Sequence, residues 1–278
     1  MNPNSLLRQA IIAIAFAAAF GGGAAAQTAP VAAENEIAED VKAVVCKNGE
    51  RLAAVKKLFL KMGAPDAEIK IEKVKDVENL VVVKKGKTDE KVILGAHYDK
   101  TSDGCGVIDN WTGVVILANI YRTLKNVQTE KTYVFVAFGK EELGLLGSNE
   151  MARAIPKEKR GEYCAMVNFD SFGLAYPQVM TNISDEKLTT LAKEAADEIK
   201  LPFAKAMIEG SSSDSASFRT QKIPAISIHG LNNNWRNYLH SSSDKIGNVN
   251  MESVYVGYRY ALNYLAKIDA KGCADFRK

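Results

Sequence analysis

Residues 92–99 read VILGAHYD, an apolar run that stops abruptly at His97, Tyr98 and Asp99. An unbroken apolar run of this length marks a strand buried on both faces, and such strands belong to parallel sheets covered by helices. The design recurs downstream. Thr132–Phe138 leads into Gly139, Lys140, Glu141 and Glu142, Ala165–Phe169 leads into Asp170, and Ala225–Ile228 leads into His229 and, after a loop, His240. Between these runs, Thr112–Leu124, residues from about Gly144 to Ile155, Ser184–Ile199 and Ser215–Thr220 carry helical spacing, and Val254–Ile268 closes the chain as a helix. Ser184 reads as the N-cap of its helix, with Asp185 and Glu186 in the first turn, where the helix dipole favours acids. Upstream, Arg51–Met62 reads as a helix stopped by Gly63, Ala64 and Pro65, and Ile69–Val74 and Leu80–Val83 read as strands. Phe203–Ile208 reads as a further short strand. The alternation predicts an α/β fold, a three-layer α/β/α sandwich around a mostly parallel mixed sheet. No repeat or dividing linker interrupts residues 39–278, which read as a single catalytic domain.

The chain has 278 residues, 47% of them apolar, and a formal net charge of +3. That weak balance leaves no electrostatic footprint for nucleic acid or an anionic membrane. Residues 1–26 read as a signal peptide: Arg8 supplies a basic start, Ala10–Phe20 is too short an apolar run to span a bilayer, and Ala24, Ala25 and Ala26 form a small-residue cleavage site. Export to the periplasm or beyond follows, with no stable membrane insertion after cleavage. Residues 27–38, rich in alanine and acids, read as a mobile leader. Nothing in the composition fixes an oligomeric state.

The four strand ends carry the chemistry. In open α/β sheets ligands bind outside the carboxyl ends of the strands, so topology alone gathers these acids and histidines on one rim. Imidazole and carboxylate are zinc donors. Two metals about 3.5–4 Å apart need one shared carboxylate and two further ligands each. His97 and Asp170 supply one pair, Glu142 and His240 the other, and Asp109 the bridge. Asp99, two residues from His97, is placed to accept its second ring N–H. Glu141 is left as a general base. Each residue alone has a plainer reading: an ordinary buried His–Asp hydrogen bond, an acidic helix start at Glu141–Glu142, an N-cap at Asp109, a turn cap at Asp170. The order of the set on successive strand ends is what selects the metal reading. His229 has no acidic neighbour in sequence and reads as a structural or pocket residue.

The segments GAHYDK (95–100), GVIDNWTG (106–113), FGKEELGLLGS (138–148), VNFDSFG (167–173) and LHSSSDK (239–245) resemble the co-catalytic di-zinc aminopeptidases of the bacterial leucyl aminopeptidase type. That family also holds glutamate carboxypeptidases, glutaminyl cyclases and the transferrin receptor. The resemblance spans roughly 165 residues, from about Asn79 to Asp244. It implies a zinc-exopeptidase-like fold, a peptide substrate and two zinc ions (Zn2+) per chain. It also implies His97, Asp109, Glu142, Asp170 and His240 as ligands, Glu141 as base and Asp99 behind His97. The alternatives it leaves are a glutaminyl cyclase and a non-catalytic, receptor-like member. Two departures stand out. Ser213-Asp214-Ser215 lacks the histidine that often follows Ser-Asp in the family. Leu239 stands where many members have the tyrosine before the last histidine, which leaves Tyr238, one position earlier, as the oxyanion candidate.

Four cysteines in an exported chain predict two disulfides. Cys164 lies six residues before Asp170, which puts it roughly 20 Å from the rim at about 3.3 Å per strand residue. Cys105, between His97 and Asp109, lies on the rim, and disulfide Cα atoms must come within about 7 Å. The closing helix runs back from the rim by about 22 Å over about 15 residues and carries Cys273 toward Cys164. The pairs predicted are Cys164–Cys273 and Cys46–Cys105.

Overall fold

The strand Lys91–His97 buries both faces: Val92, Leu94 and Ala96 enter one apolar cluster and Ile93 enters another. The strand Thr132–Phe138 divides the same way, with Tyr133, Phe135 and Ala137 on one side and Val134, Val136 and Phe138 on the other. A period of two along the strand separates these sets. In this computed structural model, which describes residues 30–208 and 212–277, eight strands form one sheet. They are β1 (Lys70–Val74), β2 (Val77–Lys84), β3 (Lys91–His97), β4 (Thr132–Phe138), β5 (Tyr163–Phe169), β6 (Gln178–Met180), β7 (Ala204–Ala206) and β8 (Ala225–His229). Their order is β1-β2-β4-β3-β5-β8-β6-β7. The central strands β4, β3, β5 and β8 are parallel. β1, β2 and β6 meet neighbours antiparallel, and β7 runs parallel to β6.

Helices cover both faces of this mixed sheet. On one side lie α1 (Glu34–Lys42), α2 (Asn48–Lys61), α3 (Thr112–Leu124), α5 (Glu186–Glu198) and α7 (Met251–Asp269), and on the other α4 (Leu146–Ala154) and α6 (Ser215–Thr220). Among the described residues no helix is long and apolar enough to cross a membrane. The signal peptide expected over residues 1–26 lies outside the described residues.

Two local expectations are corrected. The leader expected over 27–38 does not extend that far. Ala32 donates its N–H to the Tyr258 hydroxyl at 3.0 Å, and α1 begins at Glu34. Ile37 and Val41, four residues apart, lie on one helical face and are fully buried. The N-cap of α5 is Asp185, not Ser184. The Ser184 hydroxyl instead donates to Met180 O at 2.7 Å and accepts Ser227 N–H at 3.1 Å, which joins β6 to β8.

Both disulfides form as expected. Cys46–Cys105 has a Cα separation of 4.4 Å and Cys164–Cys273 one of 4.2 Å. The first tethers the loop that runs from β3 toward α3. The second ties the start of β5 to the chain after α7, at the edge of the sheet opposite the carboxyl ends of the parallel strands.

Candidate metal centre

The parallel register sets the site. His97 closes β3 directly beside Phe138, the last residue of β4, so the chain after β4 begins level with the histidine. There Gly139 packs tightly; a Cβ would sit 2.5 Å from Glu78 O. Glu141 and Glu142 follow, and their backbone N–H groups donate to the two oxygens of the Asp99 carboxylate at 3.0 and 3.1 Å. Asp170 follows β5. Asp109 lies in an irregular turn, Val107–Trp111, that precedes α3. The next side chain pins that turn to the strand end: Asn110 donates to Phe169 O at 2.9 Å and accepts Ser171 N–H at 3.0 Å.

The Asp109 carboxylate faces a different imidazole with each oxygen. His97 Nε2 is 3.1 Å from Oδ1, and His240 Nε2 is 3.1 Å from Oδ2. Asp170 Oδ1 lies 3.5 Å from His97 Nε2, and Glu142 Oε2 lies 3.1 Å from His240 Nε2. Two sets of three donors therefore share one carboxylate, in the pairing expected from the sequence. Donor atoms of His97, Asp109 and Glu142 lie within 4.8 Å of one another, as do those of His97, Glu141 and Asp170. Glu142 Oε1 is buried and has no hydrogen-bond partner among the described residues. An orphaned carboxylate oxygen amid imidazole and carboxylate donors fits a divalent zinc site, because burial of such an atom is costly without a cation or donor.

Electrostatics follow from this crowding. Burial lowers the affinity of His97 for a proton, yet the Glu141 charge and hydrogen bonds with Asp109 and Asp170 outweigh it and raise the imidazole well above its usual range. Hydrogen bonds to Asp109 and Glu142 push His240 up to about 10. Burial pushes Glu141 well above the usual carboxylate range, against the pull of His97 and with help from Asp214, Asp170 and Asp109. Burial likewise raises Glu142. Asp214, fully buried, is pushed up to about 7, chiefly by burial.

Asp99 serves His97 differently from the expected contact. His97 Nδ1 is 3.2 Å from the Asp99 backbone carbonyl and 3.6 Å from its carboxylate. The carbonyl is the closer acceptor, and the carboxylate is occupied by the N–H groups of Glu141 and Glu142.

A cavity of about 390 Å³ opens over the cluster. His97, Asp109, Glu141, Glu142, Asp170 and His240 line one side, and Met180, Ile208, Leu231, Trp235 and Leu239 supply apolar wall. Tyr238 does not line it. Its ring packs instead against the cluster of Ile108, Met180, Ile183, Ile208 and Leu231, and Leu239 takes the inward position. The oxyanion role expected of Tyr238 therefore has no support in its placement. His229 is also outside the cavity lining. It is buried, its Nδ1 accepts Leu231 N–H at 3.2 Å, and its Nε2 has no hydrogen-bond partner among the described residues.

Sequence reasoning missed three supports. Asp244 accepts N–H groups of Val107, Ile108 and Asp109 at 2.8, 2.7 and 3.1 Å. Ser213 donates to Asp170 Oδ2 at 2.5 Å and accepts from Asn168 at 2.6 Å. Arg236 lines the cavity. Asp244 follows His240 by four residues and Ser213 precedes Asp214, but the partners of both lie far away in the chain, and no local pattern signals them.

An α/β/α sandwich with two donor triads sharing a carboxylate at the ends of parallel strands defines the class of zinc-exopeptidase-like proteins. Residues 79–265 match peptidase family M28, and the chain belongs to that family. Among similar proteins, aminopeptidase YwaD of Bacillus subtilis is 27% identical over 193 residues, which cover 66% of this chain and 41% of the relative. The chain thus spans well under half of that relative's length. Among solved structures, BSAP, a zinc aminopeptidase from Bacillus subtilis, superposes with a TM-score of 0.64 at 23% identity, over 72% of this chain and 53% of that one. A glutaminyl cyclase from an Acidobacteriales bacterium superposes with a TM-score of 0.76 at 15% identity, over 90% of this chain and 99% of that one. At these identities the likenesses establish a shared fold.

Proposed function

We propose that this chain is an exported aminopeptidase that holds two zinc ions and hydrolyses the N-terminal bond of peptides. The observation that carries the reading is the Asp109 carboxylate, whose two oxygens each lie 3.1 Å from a different histidine. His97 and Asp170 would complete one site, and Glu142 and His240 the other. Zinc, when bound, supplies Lewis-acid polarisation of the scissile carbonyl and makes water more acidic. Glu141 lines the cavity beside His97 and Asp170. It takes a proton from the attacking water and returns it to the leaving amine. Asp99 positions this base through the Glu141 N–H. Export is supported by the two disulfides, which persist in oxidising compartments. In this reading the signal peptide is residues 1–26 and a single catalytic domain follows.

The superposition on a glutaminyl cyclase keeps cyclisation as a second reading. The complete second donor set around His240 favours hydrolysis with two metals. Purified, zinc-loaded protein assayed on aminoacyl-nitroanilides and on peptides with N-terminal glutamine separates the two. Release of nitroaniline without cyclisation is expected; cyclisation alone would overturn the aminopeptidase reading.

A further inference from the structure

Among the described residues the cavity lining contains one arginine and no lysine. Arg236 stacks on Trp235, its guanidinium 4.5 Å from the ring centroid, and both residues line the cavity. Such stacking holds a guanidinium by one face and leaves its N–H fork free. Among the described residues Arg236 has no hydrogen bond or ion pair, although ion pairs occur over much of the remaining surface. Its backbone is nonetheless fixed relative to the candidate ligand His240. Trp235–Asn237 forms a tight turn, and the N–H groups of Tyr238 and Leu239 both donate to Trp235 O, at 2.9 and 3.0 Å. A planar fork set at the exposed mouth of a cavity, beside an apolar wall that includes Met180, Leu231 and Leu239, matches a carboxylate at the end of an otherwise apolar ligand. The cavity volume of about 390 Å³ is near the lower end of the range for small-ligand sites, about 300–1,000 Å³, which suits a short ligand.

Resting on the aminopeptidase reading, we propose that Arg236 is a specificity-determining residue that pairs with a carboxylate of the substrate close to the scissile bond. Two sources offer that group: the C-terminal carboxylate of a dipeptide, and an acidic side chain at the substrate's N-terminal residue. Either makes the enzyme selective for short or acidic substrates over neutral, extended ones. The guanidinium binds and orients; it takes no part in proton transfer.

The test compares kcat/KM for leucyl-leucine, leucyl-leucinamide and glutamyl-leucinamide, in zinc-loaded wild type and in Arg236→Gln. Glutamine replaces the guanidinium that stacks on Trp235 with a neutral planar amide on a shorter stem, so the charge and the fork are both removed. Ratios between substrates within one enzyme cancel any general loss caused by the substitution. A wild-type preference of roughly tenfold is expected for one carboxylate substrate over leucyl-leucinamide, carried by KM. It should fall to about one in Arg236→Gln. A preference for leucyl-leucine assigns the C-terminal carboxylate, and one for glutamyl-leucinamide the acidic side chain. Hydrolysis with neither preference, or with a preference unchanged in the variant, overturns the role of Arg236 and leaves the aminopeptidase reading standing. Hydrolysis of none of the three overturns that reading, and this one with it.

Discussion

Asp244 holds Asp109 from behind: its Oδ2 accepts the Asp109 N–H at 3.1 Å, while Oδ1 accepts those of Val107 and Ile108. Both carboxyl groups are buried. Asp244 also lies four residues after His240, and its backbone carbonyl accepts Cys105 N–H at 2.7 Å. One short segment thus brings a candidate ligand to the site and fixes the turn that carries Asp109, whose carboxylate faces both histidines. Gly104 is forced by this contact, with φ +67° and Ser241 O 2.3 Å from where a Cβ would stand.

Asp244→Asn should therefore weaken zinc binding without removing a ligand. An amide presents an NH2 group to backbone donors that need an acceptor, and residues behind metal ligands are worth about 10–100-fold in metal affinity. Competition with a zinc chelator, together with circular dichroism to confirm the fold, checks this. Wild-type affinity in a folded variant would show that the turn needs no such support.

Glu141→Gln should keep the fold and the zinc and lose turnover by about 10²–10⁴-fold, since an amide cannot accept the proton. Zinc content and kcat measured on the same preparation decide the matter. A kcat near wild type would remove Glu141 from the role of base.

His229 gives a pH dependence of stability. Burial pushes its imidazole down to about 4 from an ordinary 6.5, and the Leu231 N–H occupies Nδ1. Below pH 6.5 the unfolded chain takes up a proton that the folded chain refuses. Stability is complete above that value and is lost as pH falls from 6.5 to about 4, by a sum on the order of 3 kcal/mol. In His229→Asn this share of the acid loss should vanish, whatever constant cost the smaller side chain adds. Urea midpoints at several pH values between 4 and 7 check it. Parallel wild-type and variant profiles would contradict the assignment.

Removing the Cys164–Cys273 disulfide by a double Cys→Ser change should lower stability by about 2–5 kcal/mol. KM should not change, because the pair closes a span of 109 residues at the sheet edge away from the cavity. Denaturant unfolding beside a kinetic assay reads both effects. A large KM change would mean that strain at that edge reaches the site.

The buried strands and their polar endings were legible in the sequence because a run such as Val92–Ala96 has few other ways to be buried. The donor set followed from topology, since parallel strands place their carboxyl ends on one rim. What the sequence did not reveal depends on loop geometry. Whether residue 238 or 239 turns inward is set by the tight turn Trp235–Asn237, and no periodicity encodes it. The helix Glu34–Lys42 was concealed by alanine and acid content, although the spacing of Ile37 and Val41 was there to be read. The partners of Asp244 are backbone amides 135 to 137 residues away, and a sequence gives no sign of such long-range pairing.

If two zinc ions bind as proposed, Asp109 would be the ligand they share. Zinc counted per chain by native mass spectrometry, on protein purified without chelator and equilibrated with dilute zinc, tests it most directly. The account predicts about two zinc ions per wild-type chain and loss of both affinities in Asp109→Ala. One zinc or none in the wild type, or two retained in Asp109→Ala, would contradict it.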